Sequence, residues 1–345
     1  MSKIRSWIDC WKGIATALLV LGNVLDFHYA KYIFWFHIPL FLFVSGYMYS
    51  ANQNYWSFFK NKFFRLIVPY ISFLTLFSLP TVIIYIQNIF VNKQLNPLCE
   101  LILFVLKQLY GGKILTDYFS LFWVITCLFF TQQLYNLIYT TIAGDKWLMN
   151  IIMLDAYSLA IIDYLFFGDV IFPLNIDVVL MALPFYWLGH MASQHTNIFN
   201  SIKLPSVAAI ILFTTFLIDK FSPIELTFDM RHKIYGIPIL NLVIAASGIV
   251  IFLQIAQTIH KNKLFNSIIG EIGAASMAII YLHQPIQFFL KQVSFLNQVI
   301  IRFIAALFIP YLIYKIIINF SLTRKFLLGE FKPLANVKLK KLSKV

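Results

Sequence analysis

Hydrophobic residues make up 60% of the 345-residue chain, only 12% are charged, and the mean hydropathy is +0.80. A soluble domain carries about a quarter charged residues, so the composition excludes a soluble globular protein. The net charge of +13 then reads as the Lys and Arg excess of cytoplasmic loops, not as a nucleic-acid footprint.

Five windows contain no Asp, Glu, Lys or Arg: Tyr32–Phe59, Leu66–Asn92, Tyr118–Gly144, Val178–Ile202 and Ile234–His260. Each exceeds the roughly 20 residues needed to cross the hydrocarbon core. Helices satisfy their own backbone hydrogen bonds in lipid. A barrel needs alternating strands of about 10 residues, and these runs do not alternate. The expected fold is all-α: a polytopic membrane protein of about ten transmembrane helices. Cys10, Cys99 and Cys127 are too scattered for a metal motif or a disulfide framework.

Residues 1–12 form a basic lead with Lys3, Arg5 and Lys12. Span 1 is expected over 12–27. No small-residue cleavage site follows it, so it is read as an uncleaved span. Span 2, over 33–50, follows after a short link, which makes the two antiparallel neighbours. This sets Asn23, near the far end of span 1, beside His37, near the start of span 2. The stretch FFKNKFFRLIVPY places Lys60, Lys62 and Arg65 on one face of a short amphipathic helix. Span 3 covers 66–90, and the partly apolar loop 91–117 suits a helix lying in the interface. Span 4 covers 118–142, with Trp123 near its start. Span 5 covers 147–167 and carries Asp155 and Asp163. Span 6 covers 177–193.

Span 7 covers 204–219 and leads into a second long loop, DKFSPIELTFDMRHKIYG. Spans 8, 9 and 10 cover 236–259, 267–290 and 298–320. Arg302 and Lys315 lie near the ends of span 10, where long side chains snorkel to the interface. Residues 1–322 form one transmembrane domain. Residues 323–345 form a basic tail suited to anionic lipid. Ten spans place 17 Lys and Arg on the side of the two termini and 8 on the other, which predicts both ends in the cytoplasm.

With that orientation Asn23, His37 and His283 fall in the outer half of the bilayer, and Lys12 and Arg65 at the inner mouth. Lys12 and Asn23 are eleven residues apart on one helix face, about 16 Å along it. Such a face suits a transporter. It equally suits an enzyme that takes an anionic donor from one side and acts on an acceptor at the other. A titratable ring in apolar surroundings is costly unless used, which singles out His37 and His283. The plainer alternative for His37 is a headgroup-level ring at a helix start. For Lys12 and Arg65 it is a topology signal, and for Arg231 a loop ion pair with Asp229. His190 and His195 read as solvated residues at a cytoplasmic end.

Seven segments, in order, resemble the membrane-bound acyltransferase 3 family, and within it the fucose 4-O-acetyltransferase-like branch. KGIATALLVLGN is similar to the family's basic-residue–ten–His signature, with Lys12 in the basic position and Asn23 where histidine is usual. FHIPLFLFVSGY, FFRLIVPY, LFWVITCLFF, the pair NIDVVLMALPFYWLGHM and FDMRHKIYGIPILNLVIAASG, and IGEIGAASMAIIYLHQPI follow. The resemblance implies O-acylation of a lipid-linked or exported carbohydrate at a bacterial inner membrane. Acetyl-CoA is the donor substrate, with no bound cofactor and no metal. It implies catalytic roles for His37, His283 and Asn23, and acyl-CoA binding by Lys12 and Arg65. Acceptor binding falls to Trp123, Arg231 and Tyr235. Histidine suits the acceptor's proton because its pKa lies near neutrality. Asparagine cannot be a base, so the alternative is a non-catalytic carrier or exporter of a lipid-linked sugar. The partners implied are carbohydrate, acyl-CoA and membrane lipid, with no nucleic acid.

The charge bias is open to a direct check. Reporter fusions after Val345 and within 222–233 are expected on opposite sides of the membrane. Identical sidedness would rule out the ten-span arrangement.

Overall fold

The computed structural model describes residues 3–52, 54–92, 96–195 and 203–331. Of the expected basic tail, residues 332–345 lie outside the described residues. The chain is a bundle of helices. α1 (Lys3–Val24), α2 (Phe27–Phe34) and α3 (His37–Tyr47) come first, then α4 (Tyr55–Lys62) and α5 (Val68–Asn92), joined by one π-helical turn, Phe63–Ile67. α6 (Asn96–Tyr110), α7 (Phe122–Thr141), α8 (Lys146–Phe167) and α9 (Val179–Gln194) follow. The rest is α10 (Lys203–Phe221), α11 (Leu240–Lys261), α12 (Lys263–Ala274), α13 (Ser276–Lys291), α14 (Val299–Ile317) and α15 (Ser321–Leu328).

Local chemistry sets several boundaries. Asp145 caps α8, its Oδ1 accepting from the backbone N–H of Trp147 at 2.8 Å and Leu148 at 3.0 Å. Asn54 and Asn262 cap α4 and α12 in the same way. Each satisfies donors the helix itself leaves open. The break between α2 and α3 falls at Trp35–Phe36. Pro39 has no N–H to offer the Trp35 carbonyl four residues back, and Trp35 instead donates its indole N–H to the Leu226 carbonyl at 2.6 Å.

Among the described residues seven helices are long and apolar enough to cross a membrane, and α12 with α13, bent by 75°, would make an eighth. With that composition the chain is an all-α polytopic membrane protein. The first two expected spans depart from the simple reading. α1 carries Asp9 and Lys12 inside the helix, so only Gly13–Val24 is free of charge. α3 has 11 residues, too few to span alone. α7 is the central element: 78% of its span is buried, against 22% for α8 and 17% for α10. The outer helices turn apolar side chains outward, as Leu154, Phe166, Ile210 and Phe213 do, which is the pattern lipid demands.

Two crossings bring backbones into contact. A Cβ at Gly13 would collide with the Ile269 carbonyl, and one at Gly273 with the Asp9 carbonyl, so α1 lies directly on α12. Gly46 meets the Tyr186 carbonyl and Gly189 the Phe43 carbonyl, which does the same for α3 and α9. Small residues permit such approach between membrane helices.

At one end of the bundle the loop 222–239 is clamped from beneath. Lys233, 2% exposed and at φ 60°, pairs with Asp163 at 3.1 Å and Asp177 at 3.0 Å. Its Nζ also donates to the carbonyls of Phe167 and Val170 at 3.0 and 2.9 Å. Lys233 is thus a bundle partner for Asp163. Lys31 pairs with Asp219 at 2.7 Å, tying α2 to α10. Arg302 does not snorkel: it is 6% exposed and donates to the Val24 carbonyl at 3.0 Å, fixing α14 to the end of α1. A backbone acceptor left by the helix end is a better partner here than distant water.

Removing one member of a buried ion cluster strands the others. Lys233→Ala is expected to cost about 3–5 kcal/mol, read as a lowered unfolding temperature in detergent. A loss no larger than that of the exposed control Lys220→Ala would show that the clamp does not hold the loop.

Candidate functional site

A cavity of about 220 Å³ opens at the clamped end of the bundle. Five segments wall it: the end of α1 with Asn23, α2 with Phe27 and Phe34, the start of α3 with His37, the entry to α7 with Ser120 and Trp123, and the loop segment Phe228–His232. The α2–α3 break allows this, because it begins a new helix at His37. The His37 Nδ1 donates to the Ile33 carbonyl at 3.1 Å. A carbonyl can only accept, so Nε2 is the ring's basic nitrogen.

Asn23 is held on both sides of its amide. Nδ2 donates to the Leu19 carbonyl at 2.7 Å, and Oδ1 accepts from Gln284 Nε2 of α13 at 2.8 Å. Trp123 is buried, and its indole N–H has no partner among the described residues. The Arg231 guanidinium donates to the Leu115 carbonyl, while its Nε–H is buried without a partner among the described residues. The expected loop ion pair between Arg231 and Asp229 is therefore replaced. The guanidinium reaches across to the segment before α7, and Asp229 takes a different neighbour.

That neighbour is His232. Its Nδ1 lies 2.7 Å from Asp229 Oδ2. Asp229 Oδ1 accepts from the backbone N–H of Arg231 at 2.9 Å, and an isolated bridge pairs Asp229 with Ile234. Burial alone would push the Asp229 carboxyl up. The hydrogen bond from the His232 ring, with the backbone N–H groups of His232 and Arg231, holds it below the ordinary carboxylate range. Burial lowers the Arg231 guanidinium, opposed by Asp229, without approaching deprotonation. Sequence reasoning passed over His232. Its signal was the Asp–x–x–His spacing in FDMRHK, which acquires meaning only once the loop folds back on itself.

Of the residues singled out from the sequence, Asn23, His37, Trp123 and Arg231 meet in this cavity. His283 is fully buried on α13 outside its lining. There Nδ1 donates to the Ile279 carbonyl at 2.7 Å, and Nε2 has no partner among the described residues. Tyr235, in the same loop, is buried outside the lining against Phe228 and Tyr164. Lys12 pairs with Asp9 at 3.6 Å in the first half of α1. Arg65 is exposed on the π turn, with Gly329 packed on its backbone. His190 is not solvated. It is buried among Tyr49, Tyr135 and Tyr139, with Nδ1 2.7 Å from the Tyr135 hydroxyl. Aromatic rings from α7 and α9 close that end of the bundle, while His195 at the tip of α9 stays exposed.

No curated protein and no solved structure matches the chain. A family model described as an acyltransferase domain matches residues 5–318. The match runs from the first turn of α1 to the end of α14 and takes in every wall of the cavity. The chain is a membrane acyltransferase of the acyltransferase 3 family.

Proposed function

We propose that the protein moves an acetyl group from cytoplasmic acetyl-CoA to a hydroxyl of a lipid-linked or exported carbohydrate, as a multi-pass enzyme of a bacterial inner membrane. The observation that carries this reading is the convergence of Asn23, His37, Trp123 and Arg231 on one cavity. An imidazole suits the acceptor's proton. An aromatic face and a guanidinium suit a sugar and its oxygens. The unpartnered N–H groups of Trp123 and Arg231 suit hydroxyls or a carbonyl oxygen that becomes negative during transfer. The resemblance to the fucose 4-O-acetyltransferase-like branch favours a deoxysugar-type acceptor.

The donor is assigned to the other end of α1. Lys12 and Arg65 are cations of the kind that hold coenzyme A phosphates, and both lie away from the cavity's lining. Between His37 and His283, the place of His37 in the lining gives it the stronger claim to acceptor chemistry. Tyr235 supports the acceptor site from outside its lining. A second reading, export of a lipid-linked sugar without chemistry, draws on Asn23. Its amide joins Leu19 and Gln284 and, unlike an imidazole, cannot take up a proton as a base.

Membranes containing the protein, given labelled acetyl-CoA and cell-envelope glycolipid, are expected to form ester-linked acetyl groups that membranes lacking it do not. Absence of ester with retained glycolipid export favours the exporter. Lys12→Ala and Arg65→Ala are expected to raise the donor KM about tenfold or more, as for a lost hydrogen bond to a charged group. Lys146→Ala serves as the control. Equal effects at all three positions would reduce the pair to topology signals.

A further inference from the structure

The cavity holds two imidazoles, and only one has the partner that acid–base chemistry asks for. His37 is 6% exposed and bonded to a main-chain carbonyl. Were it to take a proton, no carboxylate in direct contact would stabilise the imidazolium, and an uncompensated buried charge is costly. The side chain of His232 is 42% exposed, lines the same cavity, and has Asp229 Oδ2 at 2.7 Å from Nδ1. A carboxylate only accepts, so Nδ1 carries the hydrogen and Nε2 holds the free lone pair. This is the orienting arrangement in which a carboxylate fixes the tautomer and stabilises the imidazolium that forms.

The main chain around His232 is rigid although its ring is exposed. Before it, Arg231 is tied to the Leu115 carbonyl through its guanidinium, and its own carbonyl accepts from Asn175 Nδ2 at 3.1 Å. After it, Lys233 is locked by Asp163 and Asp177. Asp229 is fixed by its bridge to Ile234 and by the Arg231 backbone N–H. An exposed ring on a fixed backbone is what a positioned base requires.

We infer that His232 is the general base of acyl transfer and Asp229 its positioning residue, together replacing the histidine that Asn23 displaces from α1. This rests on the acyltransferase reading above. In the step, the acceptor hydroxyl oxygen attacks the thioester carbonyl carbon while Nε2 of His232 takes the hydroxyl proton. The new C–O bond forms, the C–S bond breaks, and the leaving thiolate recovers the proton as the free thiol of coenzyme A. Oxidation states do not change, and no further reactant is needed.

The test measures acetyl transfer by wild type, His37→Ala, His232→Ala, Asp229→Asn and the His232→Ala/Asp229→Asn double variant in membranes. His232→Ala is expected to lose about 10²-fold or more in kcat, typical of a removed general base, with the donor KM unchanged. Added imidazole should restore part of that rate, which it would not do for a merely structural loss. Asp229→Asn should lose rate alone, yet add little to His232→Ala, because residues that act as a unit are not additive. Unfolding temperature, read alongside, separates a misfolded variant from an inactive one. A stable His232→Ala with wild-type rate, or a full loss confined to His37→Ala, would overturn the dyad and leave the acyltransferase reading standing. No transfer by wild type would overturn both.

Discussion

Backbone contact between helices is the constraint on which the arrangement depends. In lipid, apolar side chains gain little from meeting each other, so association relies on close packing. Gly13 and Gly273 let α1 and α12 touch main chain to main chain, and Gly46 with Gly189 does so for α3 and α9. These crossings set how far α1 and α3 can slide or tilt. Asn23 ends one of those helices and His37 begins the other, so the cavity inherits its dimensions from glycines well below it.

The opposite wall is made by irregular backbone, which membrane surroundings tolerate poorly unless it is satisfied inside the protein. The loop 222–239 meets that demand with charge. Lys233 is surrounded by two carboxylates and two carbonyls, Asp219 accepts from the Leu226 backbone N–H at 3.0 Å, and Trp35 holds the Leu226 carbonyl. A buried ion cluster is weak evidence for net stability, because desolvation offsets much of the attraction. Its value here is geometric: the cluster admits one placement of the loop, and therefore one shape for the cavity roof.

The helices were legible because lipid imposes a blunt rule on composition. Four of the five charge-free windows fall on α5, α7, α9 and α11, while the first is divided among α2, α3 and α4; Asn23 and His37 meet in the cavity although α2 occupies the link between them. The interruptions were not legible. A Pro three residues into a helix is ordinary, and only the packed structure shows that Pro39 accompanies a break at Trp35–Phe36. The 75° bend between α12 and α13 falls at Ala275, whose sequence context, GAASMA, gives no sign of it. Charged residues in loops were read as solvated or as near-neighbour pairs, since sequence shows only near neighbours. Lys233 meets Asp163 seventy positions away, and Arg302 meets Val24 across most of the chain.

The asparagine in α1 connects these levels. Position 23 sits where α1, α13 and the cavity meet, and an amide there can do what an imidazole cannot. It donates down its own helix to Leu19 and accepts across to Gln284 at once, since it carries both N–H donors and a carbonyl. A neutral histidine has one donor and one acceptor nitrogen and could make both bonds only if its ring spanned them. Through these two bonds α1 gains a joint to α13, at a residue that cannot act as a base. A base on the loop wall need not satisfy helix packing as well. Its ring can stay exposed while Asp229 and the anchored residues on either side fix its direction. Separating the structural joint from the proton acceptor thus puts the base on the loop wall, where its ring stays 42% exposed and Asp229 directs it.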